Sequence, residues 1–509
     1  MTCESLKQDS NITGLSIAEE ECLKQLPATP VWVAMEPNSY SDFGGEISSV
    51  ARAPIDPSRQ NKKGTITDMD ASGGFNIDFT QNNLYSLLQG FMFADARERA
   101  TTKPLNGAAV PIASVSAPDN EYVLGSSIAA FKAGSILVAK GFGVATNNGK
   151  KVVSGVTGTN VEVAPALAAE ASVPPTAELK LVGHKFQLGE TELAIVAGVV
   201  TLTNTITDFA GLDGLYAGAW IFVGGDAVDA AFANNVGYAR VRSVTGKVLV
   251  LDDITWTPAN EAGTTKELEI YVGDMIRNEF EPALIKRRSY QLERTLGQDE
   301  DGPQAEYLEG AVANEFTLNV TQADKITADL SYIACDNTQR SGAEGPKAGT
   351  RVMAAGEDAF NTSQNVYRIK LSELKTETST PASLFGYLSE ATVTINNNVS
   401  PNKAIGVLGA FDTSAGNFEV GGSITAYFTT TAAVQAVRNN ADVGLNVIAA
   451  ARNAGFVFDI PLMGLGGGRV NVEKDQPITV PVEPAGAQSK FGYTLAYVRF
   501  SYLPSVAMP

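Results

Sequence analysis

The sequence predicts an all-β protein: a β-sandwich with a flanking short helix, carrying an inserted pair of small β-barrel or sandwich domains. Three observations lead to this fold class. Apolar and polar residues alternate over many short segments, which is typical of strands buried on one face. Charged residues make up only 18% of the chain, while 48 glycines and 23 prolines supply turns. A pattern of about 47 residues also occurs twice, at 45–91 and at 391–437.

The repeated pattern is a strand, a polar loop, a strand that opens with two glycines, and a short amphipathic helix. The first copy has its strand at Gly45–Ser49 and its glycine pair at Gly73-Gly74. The second copy has its strand at Ala391–Ile395 and its glycine pair at Gly421-Gly422. The apolar helix positions are Leu84, Leu87, Leu88 and Phe91 in the first copy, and Ala432, Ala433, Val434 and Val437 in the second. Their spacing predicts that one face of each helix packs on a sheet.

The loop Arg52–Gly64 of the first copy is long and contains two prolines and several cations. Proline cannot donate to a strand ladder, so this segment is not a central strand. Long loops in compact domains are often functional. The helix that follows the second strand is predicted over 81–93, with Thr80 as its N-cap.

The middle of the chain, 116–275, contains a second duplication, whose copies lie roughly 84–90 residues apart. Each copy has hairpin signals, such as Asn147-Asn148-Gly149 in one and Val244-Thr245-Gly246 in the other. We expect each copy to form a compact five-strand unit and the two units to stack in tandem.

These patterns divide the chain into five parts. The first part, 1–28, is predicted to be an arm, either a short helix over Ser16–Leu26 or a flexible extension. Residues 336–362 lack periodicity and are predicted to be a loop. The parts are the arm at 1–28, the first half of the main domain at 29–115, inserted domain 1 at 116–200, inserted domain 2 at 201–278, and the second half of the main domain at 279–509.

Composition excludes several classes of protein. The net charge is −18, so the chain does not bind nucleic acid by neutralising phosphates. Three scattered cysteines, Cys3, Cys22 and Cys335, argue against a disulfide framework and fit a reducing cytosol. We find no signal-peptide pattern and no apolar run of about 18 residues, so we expect neither secretion nor a membrane span.

No catalytic, cofactor or metal constellation stands out. His184 is the one histidine, and we interpret it as a core or surface residue, because no Gly-x-Ser-x-Gly elbow accompanies it. Gly464–Arg469 lacks the Lys-Ser/Thr of a phosphate-binding loop and is predicted to be a tight turn. Asp299–Gly302 lacks the full calcium-loop spacing and is predicted to be a solvated turn. Lys286–Arg288 is predicted to lie at a strand edge or an interface. Paired carboxylates for glycoside hydrolysis stay open, although only three tryptophans are present.

Residues 30–100 and 280–505 resemble the tail tube proteins of long-tailed bacteriophages. The resemblance is carried by several short stretches. These are the Arg52–Gly64 loop with its glycine-led strand, Leu84–Leu88, Tyr290–Glu293, Tyr307–Val312, and Ala391–Ile395 with the Asn-rich loop that follows it.

The resemblance implies a β-sandwich with a flanking helix. Six subunits would join their sheets into a ring with a barrel-like lumen, rings would stack into a tube, and the duplicated halves would give a pseudo-twelvefold inner barrel. The inserted block would lie outside. The protein would belong to the virion tail, assemble in the host bacterial cytoplasm and form a channel for DNA delivery. Its partners would be other copies, tape measure, tail terminator and baseplate or distal tail proteins, and passing genomic DNA that is not specifically bound.

Two sets of candidate residues follow from the resemblance. The charged residues of the long loop would reach a neighbouring subunit or ring: Arg52, Asp56, Arg59, Lys62 and Lys63. Carboxylates on alternating strands would face an acidic or neutral lumen: Glu293, Asp329 and Glu419.

Three other readings stay open. The chain could be another virion component, such as a tail terminator, baseplate hub or capsid decoration protein, and formation of an extended homopolymer would separate these from a tube. It could be a cell-surface adhesin or surface-layer protein of tandem β domains, which the missing signal peptide disfavours. It could also be a carbohydrate-active enzyme, which would need a cleft with paired carboxylates.

Overall fold

We describe the fold from a computed structural model, which covers residues 8–55, 57–375 and 377–509. Within these ranges the chain forms 32 strands and two short α-helices, so the predicted all-β class is confirmed. The elements before the insertion are β1 Gly14–Glu19, β2 Val31–Met35, β3 Pro37–Arg52, β4 Lys62–Asp78 and α1 Tyr85–Met92.

The inserted block, called the insert below, spans 112–272 and contains thirteen strands. They are β5 Ile112–Ser116, β6 Glu121–Leu124, β7 Ser135–Lys140, β8 Gly149–Thr157, β9 Asn160–Ala164, β10 Glu178–Lys185, β11 Thr191–Val196, β12 Val199–Asn204, β13 Trp220–Val223, β14 Gly237–Thr245, β15 Val248–Asp252, β16 Glu261–Ala262 and β17 Glu269–Val272.

The chain then returns to the main domain, called the body below, which also contains β1–β4 and α1. The remaining elements are β18 Asp274–Arg277, β19 Tyr290–Asp299, β20 Gly302–Thr321, β21 Thr327–Ala334, β22 Asp336–Arg340, β23 Thr350–Val352, β24 Val366–Glu373, β25 Leu388–Asn396, β26 Ser400–Lys403, β27 Ala410–Ser414, β28 Glu419–Tyr427, α2 Ala432–Arg438, β29 Val443–Ala451, β30 Ala454–Gly467, β31 Thr479–Gly486 and β32 Ala496–Phe500.

The body is a sandwich of two antiparallel layers. The first layer has the order β3-β4-β21-β20-β25-β28-β31, and the second has the order β24-β29-β30-β32-β18. Aromatic rings fill the space between them: Phe316 of the first layer stacks on Phe458 of the second at 6.2 Å, and Phe79 lies 4.8 Å from Phe456. Phe91 of α1 packs against Phe316 at 5.7 Å. One continuous apolar core therefore holds both layers and the helix together.

The repeat predicted from the sequence is present in the fold. In the first copy β3 pairs with β4 and α1 follows; in the second β25 pairs with β28 and α2 follows. Close strand contact requires the second glycine of each pair. A Cβ at Gly422, whose φ is +144°, would lie 2.1 Å from the Thr392 carbonyl oxygen, and one at Gly74 would lie 2.8 Å from the Leu330 carbonyl oxygen.

The helix boundary differs from the prediction. Helix α1 begins at Tyr85, its N-cap is Leu84, and no side chain caps it, so the prediction of Thr80 as N-cap was wrong. The Thr80 hydroxyl instead donates to Glu357 at 2.9 Å, which ties the chain to a distant segment.

The two copies within the insert do not form separate units. All thirteen strands belong to one sheet with one apolar core, in the order β16-β11-β12-β15-β14-β13-β17-β10-β7-β8-β9-β6-β5. The corresponding strands β10 and β17 pair with each other in antiparallel fashion, with Gly183 opposite Tyr271. Equivalent strands meeting in this way are what a two-fold axis produces. The insert is therefore built like an internal dimer, in contrast to the predicted tandem stack.

Two further segments differ from the predictions. Part of the predicted N-terminal helix is the strand β1, which pairs with β2 and β19. Leu15 and Ile17 are buried on one face, so a period of two prevails over helix formation. The predicted loop 336–362 contains strands β22 and β23, and β23 pairs in parallel with β2.

Candidate assembly surfaces

The first layer of the body exposes a face rich in small polar side chains. We call the outward side chains of residues 72–78, 315–321, 327–333, 390–396, 419–425 and 479–485 the polar face. One lateral row runs through Asn76, Asp329, Thr317 and Thr394, which are in register across four strands. Asp329 accepts hydrogen bonds from Asn76 at 2.7 Å and from Asn319 at 2.6 Å, and the Thr317 and Thr394 hydroxyls lie 3.2 Å apart.

The polar face is acidic. None of the six strand segments that define it contains a lysine or arginine. Its carboxylates are Asp78, Glu315, Asp329, Glu390, Glu419 and Glu483. Lys325, in the turn before β21, contacts Asp78 at 2.6 Å and so compensates one of these charges. The surface consequently repels polyanions at close range.

The three predicted lumen carboxylates lie in different places. Asp329 and Glu419 are exposed on the polar face. Glu293 of β19 is only 1% exposed and lies outside this face. Its carboxylate binds Arg351 at 2.5 Å, because a buried charge needs a partner of opposite sign. Glu293 therefore presents no free charge at the surface of the chain, and we no longer consider it a lumen-facing carboxylate.

Strands β3 and β4 extend beyond the body as a two-stranded ribbon. We call residues 46–68 the hairpin arm. Ile47, Val50 and Ile66 are between 55% and 61% exposed, and Ile55 at the tip is fully exposed. An isolated hairpin is marginally stable in water, and these side chains leave apolar surface in contact with water. The arm has the features of a segment that packs against another molecule.

The predicted loop residues lie near the tip of this arm. Arg52 ends β3, Arg59 lies in the connecting turn, and Lys62 and Lys63 begin β4. All four side chains are exposed. Asp56 lies outside the described residues. Strand β3 ends at Arg52 and β4 begins at Lys62, so only the two ends of the predicted loop 52–64 belong to strands and the described residues between them form the loop.

The first layer ends in an open edge. Strand β3 is 16 residues long and, within the described residues, pairs only with β4. At the other end of the layer, Gly464–Gly467 form the end of β30 and pair with β31. This glycine run is a strand end, and the prediction of a tight turn was wrong. An unpaired edge of this length is a template for a strand from another chain.

The insert packs on the outer side of the second layer. Trp220, Phe222 and Tyr238 of the insert share an apolar cluster with Val457 and Phe500 of the body. The Tyr238 ring lies 5.8 Å from Phe500. The insert therefore covers the sandwich on the side away from the polar face.

A buried ionic network joins the insert to the body. Arg240 contacts Asp459 at 2.9 Å and Asp252 at 3.3 Å, and Asp253 contacts Lys370 at 2.9 Å and Arg368 at 3.2 Å. Burial raises the pKa of Asp459, and Arg240 offsets only part of that effect. Burial also acts to raise the pKa of Asp253, but Arg368 and Lys370 outweigh it and lower the pKa below its usual range.

A second buried ionic cluster lies where the insert ends. The carboxylate of Asp274 contacts Lys180 at 2.7 Å and Arg499 at 2.8 Å, and it accepts a hydrogen bond from the Arg99 backbone N–H at 2.8 Å. Burial acts to raise the pKa of Asp274, but Lys180 and Arg499 outweigh it and hold the pKa at about 2. This site fixes the insert, β18 and β32 relative to one another.

The residues considered for chemistry have structural roles. His184 is buried, its Nε2 lies 2.8 Å from the Asp213 carbonyl oxygen, and burial lowers its pKa. Asp299 and Gly302 pair across the β19–β20 turn, as predicted. Lys286 and Arg288 both bind Asp95 within the chain.

Cys22 is exposed and Cys335 is buried, and both are free thiols; Cys3 lies outside the described residues. Burial raises the pKa of Cys335 to about 11. The part of the chain that the structure describes holds no group of three or more His, Cys, Asp or Glu side chains that could bind a metal. None of its helices has the length and apolar character needed to cross a membrane.

Comparison with known proteins supports an assembly role. A family model described as phage tail tube protein matches residues 10–485. No curated protein matches the chain. The match covers both halves of the body and the insert, including the polar face and the hairpin arm. The chain therefore belongs to the phage tail tube protein family.

Proposed function

We propose that this structural protein forms rings that stack into the tail tube, with the polar face lining the channel through which DNA passes into the host. The observation that carries the proposal is the polar face, where six strand segments contribute carboxylates, hydroxyls and amides but no lysine or arginine. Proteins hold DNA by pairing cations with its phosphates. A surface without cations lets a polyanion slide without being held.

Ring closure is supported by the open sheet edge. The outer edge of β3 can pair with a strand of a neighbouring chain, which removes the exposed edge. The proposed ring contains six chains. Because each chain carries two strand–strand–helix modules, the inner barrel would have pseudo-twelvefold symmetry. A ring of three chains would contain six modules instead of twelve, so the rotational symmetry of the ring distinguishes the two stoichiometries.

The position of the insert supports its placement outside the tube. It packs on the second layer, and the polar face belongs to the first. If the polar face lines the channel, the insert lies at larger radius. The buried network around Arg240 and Asp253 would then make it a fixed part of the tube wall.

The hairpin arm is proposed to contact a neighbouring subunit or ring through Arg52, Arg59, Lys62 and Lys63. These side chains are exposed at the end of a ribbon that has no core of its own. The proposal includes Asp56, which lies between Arg52 and Arg59 in the sequence. Cationic side chains favour an acidic receiving surface.

The remaining parts of the proposal follow from the family. The protein would assemble in the host cytoplasm and reside in the virion tail. Its partners would be other copies of the chain, the tape measure protein, the tail terminator and baseplate or distal tail proteins. It would bind no cofactor, catalyse no reaction and contact genomic DNA without sequence recognition.

Negative-stain electron microscopy of the purified protein, at high concentration and after long incubation, tests this function. We expect hollow tubes, or rings with a central channel and outward knobs formed by the insert. Addition of purified distal tail complex tests whether assembly needs a nucleus. Compact monomers or closed particles without a channel, under both conditions, would contradict the proposal and favour a decoration or adhesin role.

A further inference from the structure

We propose that the tip of the hairpin arm inserts into an acidic cleft on the chain of the adjacent ring. The acidic cleft is defined by Val33, Met35, Glu36, Val352, Met353 and Glu357, and its volume is about 250 Å³. The inference rests on the proposed tube function and deepens it, because it names the surface that receives the arm. The occupant is a second copy of this chain.

The arm and the cleft lie at opposite ends of the same strands. Strand β4 runs from Lys62 in the arm to Asp78, and the cleft is lined in part by Ile77 and Asp78. An arm at one end and a receiving cleft at the other give a head-to-tail contact. Such a contact does not close on itself, so it propagates as a stack of rings.

The length of the arm suits this contact. Ser48 pairs with Asp68 at the end of the arm nearest the body, and Arg52 pairs with Lys62 near the tip. Lys62 precedes Asp68 by six positions, and at about 3.3 Å per residue the paired part of the arm spans about 20 Å. The tip can therefore reach well into the next ring.

The apolar parts of the two surfaces match. Ile55 at the tip is fully exposed, and Met353 and Val352 of the cleft are 84% and 44% exposed. The parallel pair β2–β23 forms one wall of the cleft, with Val33 opposite Val352. Each surface leaves apolar side chains in water on the single chain, and docking removes both from water.

The charges also match. Glu36 and Glu357 of the cleft have no ion pair within the described residues, while Asp78 is paired with Lys325 at 2.6 Å. Glu357 is held in place by neutral donors, the Thr80 hydroxyl and the Asn82 N–H, each at 2.9 Å. Among the described residues no cation lies within ion-pair distance of this carboxylate, and Lys140 interacts with it only at longer range. Arg59 and Lys63 of the arm are exposed cations that could supply the missing partners.

A second groove at the same end of the body is a poorer match. It is lined by Phe385, Tyr387, Arg368 and Glu390, among others. Tyr387 is 76% exposed, so this groove also has an apolar side chain to cover. Arg368 is already paired with Asp253 at 3.2 Å, and Glu390 is the one carboxylate in the lining, so this groove offers the arm fewer unpaired carboxylates than the acidic cleft does. This groove serves as the competing site in the test.

Disulfide crosslinking in assembled tubes tests the contact. In a Cys3→Ser/Cys22→Ser background, Ile55→Cys combined with Met353→Cys should crosslink chains into a ladder of oligomers on non-reducing gels. Ile55→Cys combined with Tyr387→Cys should give at most a trace. Tubes that show no 55–353 crosslink, or that crosslink at 387 instead, overturn this inference and leave the tube function standing. If neither the unmodified chain nor the Cys3→Ser/Cys22→Ser parent forms tubes, the proposed function and this inference both fall.

Charge exchange gives an independent readout. Glu36→Lys should raise the critical concentration for tube assembly about fivefold or more, and Lys63→Glu should do the same. The double variant should restore assembly to near its original concentration, because the pair is re-formed with reversed sign. Glu192→Lys, at an exposed position of the insert, is the matched control and should have no effect. Equal losses in the single and double variants would contradict the pairing.

Discussion

Arg240 of β14 and Asp459 of β30 form an ion pair at 2.9 Å across the boundary between the insert and the body, and both side chains are almost wholly buried. The pair lies beside an apolar cluster that contains Trp220 and Val457. The insert is therefore bound to the body through a packed interface, in addition to its two chain connections. An insert fixed in this way moves together with the body.

Removing one partner of this pair should destabilise the protein strongly. Arg240→Met leaves Asp459 buried without its cation, so we expect the free energy of unfolding to fall by about 3–5 kcal/mol. Urea unfolding at neutral pH measures the change. Arg452→Met is the matched control, because Arg452 pairs with Asp358 at the surface, and it should cost less than about 1 kcal/mol. A loss below 1 kcal/mol for Arg240→Met would show that the network does not hold the insert in place.

The buried carboxylate of Asp274 should make stability depend on pH in acid. Its folded pKa is about 2, below the ordinary value of 3.8. A lowered pKa stabilises the fold above pH 4, and the contribution disappears as the pH falls from about 4 to 2. The shift corresponds to about 2 kcal/mol. The stability difference between the unmodified chain and Asp274→Asn should therefore be constant above pH 4 and shrink below it. A difference that is the same at pH 2.5 and pH 6 would contradict this assignment.

The cations of the hairpin arm should matter for assembly and not for folding. Lys62→Glu/Lys63→Glu places two carboxylates on an exposed ribbon, so the free energy of unfolding of the monomer should change by less than about 1 kcal/mol. Tube formation, followed by light scattering and electron microscopy, should be lost. Lys132→Glu/Lys247→Glu is the control, since these lysines are exposed on the insert. Intact polymerisation of the arm variant would refute its role in contacts between subunits.

Charge reversal on the polar face should convert a channel that does not retain DNA into one that binds it. Asp329→Lys/Glu419→Lys adds two cations per chain to exposed positions, so tubes should still form at moderate salt. These tubes should retain linear DNA in co-sedimentation, with binding that weakens as salt rises. Tubes of the unmodified chain should retain none. Glu192→Lys on the insert should leave DNA retention unchanged. Equal retention by all three kinds of tube would mean that the polar face does not line the channel.

Much of the first layer could be predicted because strands such as β21 and β25 alternate between buried and more exposed residues. In β21, Ala328 and Leu330 are buried while Asp329 is exposed, and the sequence shows this period directly. The duplicated strand–strand–helix module and the duplicated insert were also visible as repeats. Local sequence carries this information, because each strand needs one apolar face.

The interfaces could not be predicted in the same way. In β14, Tyr238 and Arg240 lie on the face that alternation assigns to solvent, yet the body covers that face and buries both. Glu293 is a similar case, since Arg351 comes from a segment 58 residues away. Whether a polar face meets water or another layer depends on the tertiary arrangement. The available signal in β14 was Arg240 on the same face as the aromatic Tyr238, because a charge on a buried face is costly unless it is paired.

Helical reconstruction of assembled tubes by electron cryomicroscopy, at a resolution that shows side chains, tests the central claim most directly. We predict that the polar face, with Asp329, Thr317 and Thr394 in one row, lines a continuous channel, that β3 pairs with a neighbouring chain, and that the insert lies outside. The same map counts the chains in each ring. A tube in which the polar face points away from the axis, or in which the insert lines the channel, would contradict the account.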